Sequence, residues 1–170
     1  MAAATRSTVV ADTIPPLLRD RVVPVADLIT PNQFELGFLT ERDVTDLDST
    51  LAAVDAAREM GPRVVLVTSV ERPDAPEDTI EMLAVDDNGK WIVQTPRLPF
   101  KRNGSGDVTA ALFTGHYIES SDAADALART ASSVYDLLRI THEADAPELK
   151  LVEAQDFYAN PQLQFTVEAL

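Results

Sequence analysis

The stretch RVVLVTSV, Arg63 to Val70, is continuously apolar in its first half and rich in β-branched residues. An alternating pattern would mark a strand with one wet face. An unbroken run of this kind marks a strand covered on both faces, as in a parallel sheet flanked by helices. Just upstream, Ser49 to Met60 (STLAAVDAAREM) has helical spacing, with Asp48 or Ser49 as cap, Leu51 and Val54 on one face and Gly61-Pro62 as the stop. Before that, Asp27-Leu28-Ile29-Thr30 is a short apolar run fit for a buried strand, followed by the helix-start signal Pro31-Asn32 and by Phe34, Leu36, Phe38 and Leu39. Thr13 to Val25 adds a short helix begun by Pro15-Pro16 and stopped near Pro24. After the initial helix, the order is β-α-α-β.

Downstream, the runs 80–85 and 90–95 are strand-like and are joined by Asp86-Asp87-Asn88-Gly89. The Asn-Gly pair is a hairpin signal because both positions tolerate positive φ. The polar, proline-bearing segment ERPDAPED (71–78) reads as an exposed loop. Asn103-Gly-Ser-Gly-Asp107 opens a helix carrying Val108, Ala111 and Leu112. Asp122 to His142 is the longest periodic segment, with Ala124, Leu127, Ala128, Ala131, Val134, Tyr135 and Leu138 on one face. A further strand is expected at Lys150-Leu151-Val152, and the end of the tail is ambiguous. The expected class is α/β in a single domain spanning 1–170: a mostly parallel sheet with flanking helices and an antiparallel hairpin.

The chain has 170 residues, enough for one core, and 14 Lys and Arg against 28 Asp and Glu give a net charge of −14. That field repels phosphodiester backbones and anionic lipid, which argues against nucleic acid or membrane as partners. A nucleotide remains possible, because local N–H groups and a metal outweigh a global field. There is no cysteine, so thiolate metal sites and disulfides are excluded. The opening MAAATRSTVV lacks the features of a signal peptide, and no run approaches the roughly 18 apolar residues that span a bilayer. A cytoplasmic location is expected.

Three segments carry candidate chemistry. In Asn103-Gly104-Ser105-Gly106-Asp107, glycines let successive N–H groups face one spot at a helix N-terminus, which suits an anionic phosphate. Asp107, in the first turn, is placed to take a proton from an attacking hydroxyl; alternatively it merely stabilises the helix dipole. In Asn32-Gln-Phe-Glu35, two polar side chains three apart either share the water shell of Mg²⁺ or form an ordinary capping box. Thr68-Ser69, at the end of the buried strand, either hydrogen-bonds a phosphate at the carboxyl edge of the sheet, where ligands of open α/β folds gather, or just satisfies loop backbone. His116 and His142 are 26 residues apart with no third ligand at a metal spacing, and Trp91 and Tyr135 read as packing residues.

Thr30-Pro-Asn-Gln-Phe-Glu-Leu36, Val67-Thr-Ser-Val70, Thr95-Pro-Arg-Leu-Pro-Phe100 and Asn103-Gly-Ser-Gly-Asp107 follow one another in the order and spacing of the pyridoxal kinase family, within the ribokinase-like superfamily. The chain resembles the carboxy-terminal half of such an enzyme from about Ile14 onward, and residues 1–12 have no counterpart. The Asn-x-x-Glu and Gly-x-Gly-Asp elements fix the superfamily, whereas Thr-Pro-Arg-Leu-Pro-Phe and Ser132-Ser-Val-Tyr135 point to pyridoxal kinase. The resemblance implies ATP-dependent phosphorylation of the pyridoxal 5′-hydroxyl, with hydroxymethylpyrimidine as a rival substrate. It makes Asp107 the catalytic base and Gly104, Ser105 and Gly106, beside Asn103, the phosphoryl cradle. Thr68 would touch the nucleotide phosphates, and Asn32 and Glu35 would help hold Mg²⁺. It also implies a homodimer, and for this half-length chain self-association or a complementary chain and weak or absent activity. A non-catalytic, nucleotide-binding remnant is the rival of a different class.

Overall fold

The computed structural model describes residue 11, residues 13–100 and residues 103–170; the opening residues 1–10 lie outside it, as do 12, 101 and 102. Five strands, β1 (Leu28–Ile29), β2 (Val64–Val70), β3 (Thr79–Val85), β4 (Lys90–Pro96) and β5 (Val167–Ala169), form one sheet in that order. β1 and β2 pair in parallel, and the β2–β3, β3–β4 and β4–β5 pairs are antiparallel. The expected mostly parallel sheet is thus a mixed one. Its fold class stands, with helices on both faces, but among the described residues only the β-α-α-β unit contributes a parallel pair.

On one face α2 (Gln33–Thr40) and α3 (Leu47–Glu59) cover Val65, Val67, Val70, Leu83, Val85 and Ile92 with Leu36, Ala53, Val54 and Ala57. On the other, α4 (Ser105–Ser120) and α5 (Ala123–Glu143) cover Val64, Leu66, Ala84 and Val93 with Phe113, Ala123, Ala126, Leu127 and Ala131. Alternate residues of β2 therefore enter two different cores. This is the physical reason RVVLVTSV shows no polar alternation.

The amino-terminal helix begins as α1 (Ile14–Leu17) and runs on through a π-helical turn, Leu18–Val22, and a 3₁₀ turn, Val23–Val25, as Pro24 approaches. α3 is capped by Asp46, not by Asp48 or Ser49: the Asp46 carboxylate accepts from Ser49 N–H at 2.8 Å, and the Ser49 hydroxyl accepts from Asp46 N–H at 3.0 Å. The hairpin stands, but neither Asn88 nor Gly89 has positive φ. Instead the buried Asp86 carboxylate accepts from the N–H groups of Asn88 at 2.6 Å and Gly89 at 3.2 Å, an Asx-type turn that needs no left-handed residue. Lys150–Val152 is not a strand. It lies in turns leading to α6 (Gln155–Ala159), and the tail reaches the sheet only as β5, whose Val167 pairs with Val93.

Candidate functional site

A cleft of about 630 Å³ opens at the edge of the sheet where β2 and β4 end, on the α4–α5 side. Its floor is Thr68, Ser69, Ile80, Met82 and Thr95, and its rims are the 96–100 loop and the start of α4 at Asn103, Ser105 and Gly106. The far wall is apolar, made by Ala131, Val134 and Leu138 of α5 together with Tyr135. Such a cleft, apolar on one side and with polar groups converging on the other, is the usual form of a small-molecule site.

α4 begins at Gly104 in the left-handed region (φ 88), and no side chain caps it. A helix N-terminus carries about half a positive charge, so this start turns positive potential toward the cleft. A Cβ built on Gly106 would meet nothing within 4 Å, so the space over the first turn is open. Asp107 is exposed in that turn, beside the residues lining the cleft. Thr68 on the floor and Asn103, Ser105 and Gly106 on the rim, far apart in sequence, are thereby brought to one cleft.

Asn32 and Glu35 are placed differently. Asn32 caps α2: its side-chain oxygen accepts from Glu35 N–H at 2.9 Å, and the Glu35 carboxylate accepts from Asn32 N–H at 2.9 Å, a complete capping box. The structural alternative for this pair is therefore realised. Asn32 also bridges to Thr68 in parallel register, and Thr68 N–H donates to Pro31 carbonyl at 3.0 Å, so the α2 start and the cleft floor are direct neighbours. Among the described residues no group of three or more His, Cys, Asp or Glu side chains can hold a metal. His116 is buried in α4, where burial lowers its pKa and its Nε2 has no partner among the described residues, and His142 stacks on Phe100 at 4.9 Å.

The segment expected to be an exposed loop is partly tied down. Arg72 makes two bonds, 2.6 and 2.9 Å, to the buried carboxylate of Glu81, which holds the guanidinium pKa above its ordinary value. Arg97 donates to Glu71 at 2.9 Å across the cleft rim. The sequence reading missed these contacts; Tyr135, read as a packing residue, does meet Phe165 edge-on at 5.1 Å but also lines the cleft. Glu81 offered a signal: a charge inside an otherwise apolar strand, IEMLAV, that must be paired if buried.

A mixed sheet between two helical layers, with a glycine-opened helix facing its edge, is a ribokinase-like arrangement. The chain belongs to the phosphomethylpyrimidine kinase family, whose sequence profile matches residues 1–149. It is 71% identical over 158 residues to pyridoxal kinase PdxY of Leifsonia xyli, covering 93% of this chain and 56% of that protein. It is 64% identical over 161 residues to pyridoxal kinase PdxY of Corynebacterium diphtheriae, covering 95% and 57%. The chain thus spans little more than half the length of these relatives. Among solved structures, pyridoxal kinase from Leishmania donovani in complex with ADP and pyridoxamine superposes with a TM-score of 0.86 at 24% identity, covering 99% of this chain and 58% of that one. Pyridoxal kinase from Entamoeba histolytica gives 0.85 at 22% identity, covering 99% and 59%. At those identities the structures speak for the fold. No described helix is long and apolar enough to cross a membrane.

Proposed function

We propose that this chain forms the nucleotide and catalytic side of a pyridoxal kinase, acting in the cytoplasm on pyridoxal and ATP. The observation that carries the reading is the uncapped, glycine-opened start of α4 beside the cleft. In this reading the 103–106 backbone cradles the transferring phosphoryl group, and Thr68 meets the nucleotide phosphates. Asp107 accepts the proton of the pyridoxal 5′-hydroxyl as that oxygen bonds to the γ-phosphorus and the bond to the ADP oxygen breaks. The relatives named pyridoxal kinase PdxY and the ADP-bound neighbours of the same fold support the donor and the vitamin. They favour pyridoxal over hydroxymethylpyrimidine.

Mg²⁺ neutralises charge on the transferring group when it is bound with the nucleotide. The donor set here fits an outer role and not a protein cage, since Mg²⁺ keeps several waters and needs few protein oxygens. Asn32 and Glu35, whose side chains face each other at the start of α2, would be the residues that help hold it.

The test is to assay the purified 170 residues with Mg-ATP and pyridoxal, then to repeat the assay with the amino-terminal half of the Leifsonia relative supplied in cis. The chain alone is expected to bind ADP and to turn over far below the roughly 1 s⁻¹ of an ordinary kinase, because positioning of the hydroxyl contributes about 7 kcal/mol or more. The joined protein is expected to phosphorylate pyridoxal in preference to hydroxymethylpyrimidine. No turnover from a folded joined protein, with ADP still bound, would leave the remnant reading in its place. Size determination at low and high concentration tests the expected self-association of the isolated chain.

A further inference from the structure

β2 contains an irregularity at the point where it meets the cleft. Val65, Leu66 and Val67 pair with Val85, Ala84 and Leu83, but the next pair is Val70 with Glu81, so Thr68 and Ser69 together oppose the single residue Met82. This is a β-bulge, and Ser69 sits in it at φ 53, in the left-handed region that a serine seldom adopts. The extra residue shifts the strand by one. Val70, where strict alternation would put Ser69, enters the core with Val65 and Val67, and both Thr68 and Ser69 face the cleft. Without the bulge, one hydroxyl would be buried among valines and Val70 would take its place at the ligand.

The bulge is held immediately downstream. Arg72, two residues past the end of β2, makes its two bonds to the Glu81 carboxylate, whose side chain is only 3% exposed and which also accepts from Gln94 Nε2 at 3.2 Å. Glu81 is the residue opposite Val70, so the ion pair pins the strand at the first regular pair after the irregularity. From the α2 side, Gln33 accepts from Glu71 N–H at 2.8 Å and donates to Glu71 carbonyl at 3.2 Å, gripping the backbone of the residue between Val70 and Arg72. The 70–72 backbone is thus fixed by two separate elements.

We propose that the Arg72–Glu81 pair, seconded by Gln33, is a positioning device that keeps Ser69 left-handed and so presents the Thr68 and Ser69 hydroxyls side by side to the anionic group bound in the cleft. The proposal rests on the nucleotide reading for the identity of that group, and on geometry alone for the bulge. Replacing both charges together, Arg72→Met with Glu81→Met, is the discriminating change, because removing a whole buried ion pair in favour of apolar side chains is often neutral for stability, whereas breaking one partner is not. Gln33→Leu, on the exposed side, is the second variant and needs no buried repacking.

Two measurements are made on each folded variant of the full chain: the ¹³Cα and ¹³Cβ shifts of Ser69, and the affinity for ADP with Mg²⁺. In the double variant Ser69 is expected to lose its left-handed shifts, and the Kd for ADP to rise about fivefold, the equivalent of one hydrogen bond, with the melting temperature unchanged. Gln33→Leu is expected to move both quantities the same way by less. Unchanged Ser69 shifts in both variants overturn the proposal whether or not ADP binds. A parent chain that fails to bind ADP removes the nucleotide reading instead and leaves the shifts to decide the bulge.

Discussion

Two helices begin near the same edge of the sheet and are built in opposite ways. α2 starts at an extended Asn32 whose side chain, with that of Glu35, satisfies donors at its own start. α4 starts at a left-handed Gly104 and has no side-chain cap, although α2, α3 and α5 all have one. Folding alone accounts for the first, because a capping box is its own reward in stability. It does not account for the second, which goes without a side-chain cap among the described residues and stands beside a cleft. On the proposed reading, function is concentrated at the glycine-opened start, and the Asn-x-x-Glu pair caps α2 beside the neighbouring floor.

The largest break in that comparison is expected from Asp107→Asn in the chain joined to an amino-terminal half. General-base catalysis contributes about 10²-fold or more, so kcat should fall at least that far while ADP affinity stays near its original value. Steady-state kinetics and a binding isotherm on one preparation check both. Retained turnover would return Asp107 to the role of a dipole-stabilising residue.

A smaller effect separates the cradle from the helix that bears it. Gly106 has open space where a Cβ would go, so Gly106→Ala introduces no clash and should stabilise α4 by about 1 kcal/mol through helix propensity. The same methyl group would intrude where the phosphoryl group is to lie. The expected outcome is a higher melting temperature together with a nucleotide affinity lower by about tenfold, equivalent to about 1.4 kcal/mol. Gly104→Ala differs: at φ 88 an alanine is strained by about 1 kcal/mol or more, and stability and binding should fall together.

Much of this architecture was legible because local signals and tertiary packing agree. RVVLVTSV, STLAAVDAAREM and the long segment before His142 each became the element their periodicity announces, and Asn103–Asp107 opens a helix as glycine spacing suggests. The failures share one cause. The Asp46 cap, the Asp86 turn, the β2 bulge and the Arg72–Glu81 pair all depend on which groups meet in three dimensions, and spacing does not encode that. Lys150–Val152 is strand-like in composition, yet Lys150 N–H is taken by the Thr141 hydroxyl at 3.1 Å, and β4 pairs instead with the later segment at Val167. In the site, the residues read from motifs were those whose neighbours in sequence are also their neighbours in space. The cleft wall at Tyr135 and Leu138 was read only as helix core, because a stripe that packs and a stripe that lines a cleft have the same period.

The smallest expected effects belong to the satisfied helix start, and they decide whether it is more than a cap. Asn32→Ala removes the acceptor of Glu35 N–H and should lower stability by about 1 kcal/mol in denaturant titration, as an N-cap loss does. Glu35→Gln is subtler, because glutamine can still accept from Asn32 N–H: the reciprocal cap survives while the charge is removed. If Glu35 only caps, the joined enzyme should lose a few tenths of a kcal/mol through the helix dipole and keep its Mg²⁺ requirement unchanged. If its carboxylate also receives hydrogen bonds from metal-bound waters, the Mg²⁺ concentration for half-maximal rate should rise, with kcat at saturating metal largely restored. The second outcome is expected, because Asn32 bridges to Thr68 at the cleft floor and so sets this helix start beside the proposed phosphate site. An Mg²⁺ titration of the rate for Glu35→Gln and the parent, at one fixed ATP concentration, separates the two. An unchanged midpoint would assign the pair wholly to capping and leave the glycine-opened start of α4 as the sole ligand-facing helix end of the comparison.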